Sequence, residues 1–143
     1  MTLKRRPVFR IWVPGIPKSS QSRGVKTKYI KLIQEATRKQ VPYPIKSGRI
    51  DIEIFFVASR TIRADVDNII KPILDSLVNI VYFDDNQVRS IRAVAIPPDD
   101  IMSFHNANLE ALDRLYKSNE FLIDIYHGIG ILGPGGKPGT DTH

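Results

Sequence analysis

Asp65 and Asp67 stand one residue apart in RADVDNIIKP, residues 63–72, with Lys71 four positions after Asp67. A second acidic pair, Asp84 and Asp85, follows in YFDDNQV. Like charges this close repel, so the arrangement needs a compensating cation or abundant water. Ligand sets built from carboxylates alone suit hard cations such as Mg²⁺ or Mn²⁺. A cation so held can activate a water and steady charge on a phosphodiester. Lys71 falls on the same side of a helix as Asp67, where an ammonium can neutralise phosphate charge as it develops. The four acids converge only if the loops on either side of the intervening helix reach the same rim of the fold.

Each residue taken singly also has a plain structural explanation. Asp67 suits the N-cap of the helix that follows. Asp84, Asp85 and Asn86 are ordinary turn residues. Lys71 can pair with Asp67 or Asp75. The combination is harder to explain in this way. A cap needs one aspartate, and a second two positions earlier adds repulsion with no structural return.

Other chemistries find less support. There is no cysteine, so there is no thiolate zinc site and no cysteine nucleophile. The three histidines, His105, His127 and His143, make no metal-ligand pair at helical spacing. His127 follows a strand, where a lone histidine is usually structural. A calcium loop starting at Asp65 would need an acceptor and a glycine at positions occupied by Ile69 and Ile70. A sugar-nucleotide transferase of the D-x-D type would be short at 143 residues and would leave the basic N-terminal part unexplained.

The elements that must position these residues follow from periodicity. Val8 to Val13 reads as a strand, and PGIPKSSQSRG as a loop. Thr27 to Gln40 reads as a helix whose Tyr29, Leu32, Ile33 and Ala36 form an apolar stripe. Arg49 to Ala58 alternates as a strand, with Ile50, Ile52, Ile54 and Phe56 on one face. Asn68 to Val78 is a second helix, with Pro72 near its first turn. Gln87 to Ile96 is a strand, Asn108 to Lys117 a short helix with Leu109, Leu112, Leu115 and Tyr116 inward, and Glu120 to Tyr126 a last strand. The order predicts one α/β (α+β) domain, a small mixed sheet of about four strands packed with two to three helices. Residues 1–130 form that domain, and 131–143 a flexible Gly- and Pro-rich tail.

Charge divides the chain. Residues 1–49 hold 13 of the 21 Lys and Arg and one acid, a net +12, which leaves −6 for residues 50–143 of the total +6. A basic part joined to an acidic part suits a protein that grips phosphates with one and holds a cation with the other. A solvated basic face that serves solubility is the plainer account. No apolar run approaches the roughly 18 residues of a membrane-spanning helix. Val8 to Val13, interrupted by Arg10, is too short for a signal-peptide core. A cytoplasmic location is expected.

DVDNIIKPILDSL followed by FDDNQV resembles the RusA family of Holliday-junction resolvases. That family carries D-x-D-N-x-x-K, then D-x-L, then a D-D-x-Q-V segment after the helix. PGIPKSSQSR resembles the family's Pro- and Ser-rich stretch after its first strand. The resemblance covers roughly Val8 to Ile96 and the last strand. It implies an α/β homodimer that cuts four-way DNA junctions with Mg²⁺ or Mn²⁺. By position it implies catalytic carboxylates at Asp65, Asp67 and Asp85, which would hold the metal, and a catalytic lysine at Lys71. Asp84 aligns with the less essential member of its pair.

Two departures stand out. Ala64 separates the first aspartate from the basic residues Arg63 and Arg60. The segment from about Asp99 to Asn119 is longer than the usual connection. Backbone phosphates are expected at Lys18, Arg23, Lys26, Lys28 and Lys31, with Arg60 and Arg63 as further DNA contacts. The competing expectation is a non-catalytic dimeric DNA-binding module whose acids only cap and turn.

Overall fold

A computed structural model describes residues 6–17, 23–57, 66–97 and 109–128, without the side chains of 23–25, 66, 67 and 109. The described chain runs β1 (Phe9–Pro14), α1 (Arg23–Gln40), β2 (Ile50–Val57), α2 (Val66–Leu77), a single 3₁₀ turn (Asp85–Gln87), β3 (Val88–Ile96), α3 (Leu109–Lys117) and β4 (Glu120–His127). The four strands form one mixed sheet in the order β1-β4-β2-β3. β4 runs antiparallel to both β1 and β2, whereas β2 and β3 are parallel. Parallel neighbours cannot be joined by a tight turn, so the chain crosses over through α2.

β4 lies inside the sheet with both faces covered, and Phe121 to Ile125 are all buried. On one face the side chains of Ile11, Val13, Ile50, Ile52, Ile54, Phe56, Phe121, Ile123 and Ile125 meet α1 and α2. Ile69, Ile73 and Leu77, one helical turn apart, supply the α2 side of that core. On the other face α3 packs Ala111, Leu112 and Leu115 against Ile96 and Leu122, with Trp12, Phe55, Val57 and Val94 around them.

The structure departs from the sequence pattern at several positions. α1 begins at Arg23, not Thr27, because one glycine at position 24 costs a helix only about 1 kcal/mol. Its buried stripe uses Tyr29, Ile33 and Thr37, whereas Leu32 is exposed. Thr37 can be buried because its hydroxyl donates to Ile33 O at 2.6 Å. α2 begins at Val66, so Pro72 lies inside the helix rather than near its start. The helix continues through it with one amide bond missing. Tyr116 is exposed, and Ala111 takes its place beside Leu112 and Leu115. The tail beyond residue 130 lies outside the described residues.

Among the described residues, a polar row occupies the rest of the face on which α3 packs. There Arg10, Asp124, Glu53 and Arg92 occupy successive strands in register. Arg10 donates two parallel bonds of 2.9 Å to Asp124, whose side chain is 2% exposed. Burial pushes the Asp124 carboxyl above its ordinary range; the Arg10 fork opposes this, and Glu53 adds to the rise. A carboxyl raised in the folded state contributes stability below its ordinary pKa, and that contribution is lost as pH rises through the folded pKa. Urea midpoints followed from about pH 4 to pH 7 should therefore show Asp124→Asn gaining on the wild type as pH rises. Parallel curves would contradict this.

Candidate active site

The Asp84–Asp85 turn is the best-defined part of the candidate site. Asp84 is extended, with φ −131° and ψ 130°, and its carboxylate accepts from the Asn86 N–H at 2.9 Å. Gln87 returns the favour: its Oε1 accepts from the N–H groups of Phe83 and Asp84, both at 3.1 Å. This is a capping box on a one-turn helix. Gln87 Nε2 also donates to Ile45 O at 3.1 Å and Gly48 O at 3.4 Å, which ties the turn to the loop before β2. Asp84 is thus committed to backbone hydrogen bonding. Asp85 is exposed, and among the described residues its carboxylate has no hydrogen-bond or ion-pair partner. The two adjacent aspartates have different jobs, which their identity alone does not reveal.

Gln87→Ala removes four bonds at once without touching a surface carboxylate. About 1 kcal/mol per lost bond is the ordinary scale, with part regained from water. We expect a destabilisation of about 1–3 kcal/mol, read as a lower urea midpoint.

The α2 side of the site is less fully described. Asp67 is the second residue of α2, on its first turn, so it is not the N-cap that the sequence suggested. The helix starts two residues before the expected Asn68, which moves the cap position to residue 65, outside the described residues. The first turn still favours a negative charge, because its N–H groups point outward unpaired. Lys71 is exposed one turn later, and Asp75 one turn after that. Lys71 forms no ion pair with Asp75. Its pairing with Asp67 involves a side chain outside the described set.

Tyr82 connects α2 to the Asp85 turn. Its buried side chain lies back along the helix, and the hydroxyl donates to Leu74 O at 3.2 Å. Burial holds its pKa well above the ordinary tyrosine value, and the charges of Asp85 and Asp75 add to that. Tyr82, three residues before Asp85, thus ties this part of the chain to the C-terminal half of α2. From Asp67 to Asp75 the helix rises about 12 Å. Among the described residues no group of three or more His, Asp or Glu side chains converges on a metal site. The available donors do suit a hard cation, since Asp85 is exposed and unpartnered and is an oxygen ligand.

The expected phosphate contacts divide as follows. Lys28 and Lys31 are exposed on α1, and Lys26 is partly exposed there. Arg38 and Lys39 extend the exposed basic side to the end of the helix. Arg23 opens α1, with its side chain outside the described set. Lys18, Arg60, Arg63 and Asp65 lie outside the described residues. His127 is structural: its Nε2 is 2.9 Å from Ser47 O, and Gly48, at φ +99°, passes so close that a Cβ would lie 2.6 Å from that nitrogen.

Sequence reasoning missed three residues around the turn. Phe83 is half exposed immediately before Asp84. Lys46 is exposed on the loop to which Gln87 is bonded. Arg89 is the extra residue where the β2–β3 register shifts, between the pairs Ile50↔Val88 and Asp51↔Ser90. Such bulges re-aim a side chain, and no local pattern announces one. Phe83 had a signal, an apolar ring directly beside two acids in an otherwise polar turn. Among the described residues no helix is long and apolar enough to cross a membrane.

A comparison with protein-family models gives a match over more than half of the chain. The family model described as endodeoxyribonuclease RusA matches residues 14–102, which spans β1 Pro14, α1, β2, α2, the Asp85 turn and β3. No curated protein matches the chain significantly.

Proposed function

The chain belongs to the RusA family of endodeoxyribonucleases, and on that premise we propose that it resolves four-way DNA junctions by paired nicks, using Mg²⁺ or Mn²⁺ held by Asp65, Asp67 and Asp85. The family identity makes it a hydrolytic nuclease of the Holliday-junction resolvase type, which sets aside the non-catalytic alternative. The observation that carries the finer reading is the division of labour at the turn. Asp84 is used up in capping, and Asp85 is left exposed and unpartnered.

In this reading the carboxylates of Asp65, Asp67 and Asp85 are the ligands. When bound, the cation supplies an activated water and neutralises charge on the phosphodiester. The chain's own residues do the rest. α1 presents Lys26, Lys28 and Lys31 to backbone phosphates, with Lys18, Arg23, Arg60 and Arg63 as further contacts. Lys71 sits one turn beyond Asp67 on α2 and places an ammonium beside the reacting phosphate. Water adds to phosphorus, one P–O ester bond breaks, and a proton passes to the departing oxygen.

A junction has near two-fold symmetry, and resolution needs two matched nicks. A two-fold homodimer supplies two sites in the corresponding relation. The role is in DNA recombination and repair, in the cytoplasm.

One gel tests the reading. A labelled four-way junction and a matched duplex are each incubated with Mg²⁺ and with chelator. Paired nicks confined to the junction and lost with chelator are expected. Cutting that persists in chelator removes the metal from the mechanism, and equal cutting of duplex removes the junction selectivity.

A further inference from the structure

Phe83 is 50% exposed, directly before the Asp84–Asp85 pair. A single exposed phenylalanine is unremarkable on a protein surface. The setting of this one is not ordinary. Its backbone N–H is fixed by Gln87 Oε1, and Gln87 is itself bonded to Ile45 O and Gly48 O, so the ring stands on a braced turn. The parallel bridge Ile45↔Tyr82 makes Lys46 and Phe83 the next neighbouring positions. Arg89, set out by the bulge at the start of β3, lies beyond the same turn. Lys46 and Arg89 are exposed, and among the described residues neither has an ion-pair partner.

An aromatic ring interleaved with free cations is the chemistry that grips unpaired nucleic acid. The ring stacks on a base, and the cations hold the flanking phosphates. Two residues of extended chain span about 7 Å, so the Phe83 ring and the Asp85 carboxylate reach the same nucleotide or its neighbour. Bases at a branch point are the least costly in a junction to unstack.

We propose that Phe83 stacks on a nucleobase unstacked at the branch point, beside the phosphate that is cut, with Lys46 and Arg89 on the adjoining phosphates. The inference rests on Asp85 lying at the reacting phosphate. It adds a reason for junction selectivity: a paired duplex offers no base to the ring without the cost of unstacking it.

The test uses the full chain and a four-way junction carrying 2-aminopurine at the branch point. In chelator, wild-type binding should raise the probe's fluorescence several-fold as the base leaves its stack. Phe83→Ala should bind without that rise. With Mg²⁺ it should cut the intact junction about 10- to 100-fold more slowly, the scale of one lost stacked base. Phe83→Leu, which keeps apolar bulk but has no π-face, should behave like Phe83→Ala, and Phe83→Trp should restore both signals. Mismatches at the branch point should recover much of the Phe83→Ala loss, a response that a general folding defect would not give.

A fluorescence rise and cutting rate unchanged in Phe83→Ala would overturn the inference. A rise that depends on Phe83 in a wild-type protein that never cuts would sustain it while removing the nuclease reading. A wild type that binds no junction removes both.

Discussion

Asp85→Asn is expected to lower junction cutting by at least about 100-fold, the scale of losing one group that stabilises a developing charge, while junction binding persists. The substitution keeps size and removes the charge that would hold the cation. Asp67→Asn should do the same. It costs the fold little, because a carboxylate in the first turn of α2 contributes only about 0.3–1 kcal/mol through the helix dipole. The control is the neighbour. Asp84 caps the 3₁₀ turn through its side-chain oxygen, and asparagine caps about as well as aspartate. Asp84→Asn should therefore leave cutting close to wild type. The measurement is single-turnover nicking of a labelled junction, with binding by gel shift in chelator. If Asp84→Asn is the inactive variant and Asp85→Asn the active one, the assignment of roles at this turn is wrong.

Replacing Lys26, Lys28 and Lys31 together by Gln should weaken junction binding by about 100-fold at 0.15 M salt. Each phosphate contact contributes about 0.9 to the slope of log affinity against log salt, so the slope should fall by about 2.7. Lys28 and Lys31 are exposed and Lys26 partly so, and none of the three belongs to the buried stripe of α1, so the fold should be unaffected. An unchanged slope would mean that DNA crosses another face. The two experiments separate grip from chemistry: the lysine variant loses affinity, and at saturating protein it should still cut, whereas the aspartate variants bind and do not cut.

The elements were largely legible in the sequence, because most of them are short and carry one dominant period. The alternation of Ile50, Ile52, Ile54 and Phe56 marks β2, and all four side chains point into the main core. The stripe through Ile69, Ile73 and Leu77 marks α2. Burial at the margins was not legible. Leu32 looks like a core residue and is exposed, while Thr37 looks like a surface residue and is buried, because a hydroxyl that bonds back to Ile33 O needs no solvent. An N-cap at Asp67 would start α2 at Asn68 and put Pro72 near its first turn. The helix instead runs from Val66, and its buried face outweighs one missing amide bond.

The sequence by itself determined the family and the inventory of chemistry: carboxylates without thiolates, a lysine one helical turn from an aspartate, and a basic N-terminal part. Those depend on residue identity and on separations of a few residues, which local geometry turns directly into placement. The tertiary structure decided what each acid near the turn is free to do. Asp84 and Asp85 are chemically identical neighbours. They part only because Gln87, braced on the carbonyls of Ile45 and Gly48 some 40 residues earlier, closes a capping box on Asp84. Arg89 and Lys46 come to the same turn for the same kind of reason, through a register shift between β2 and β3 and the bridge from Ile45 to Tyr82. Hydrogen bonds between distant segments carry no signature in either one, so they become readable only when the chain has closed on itself.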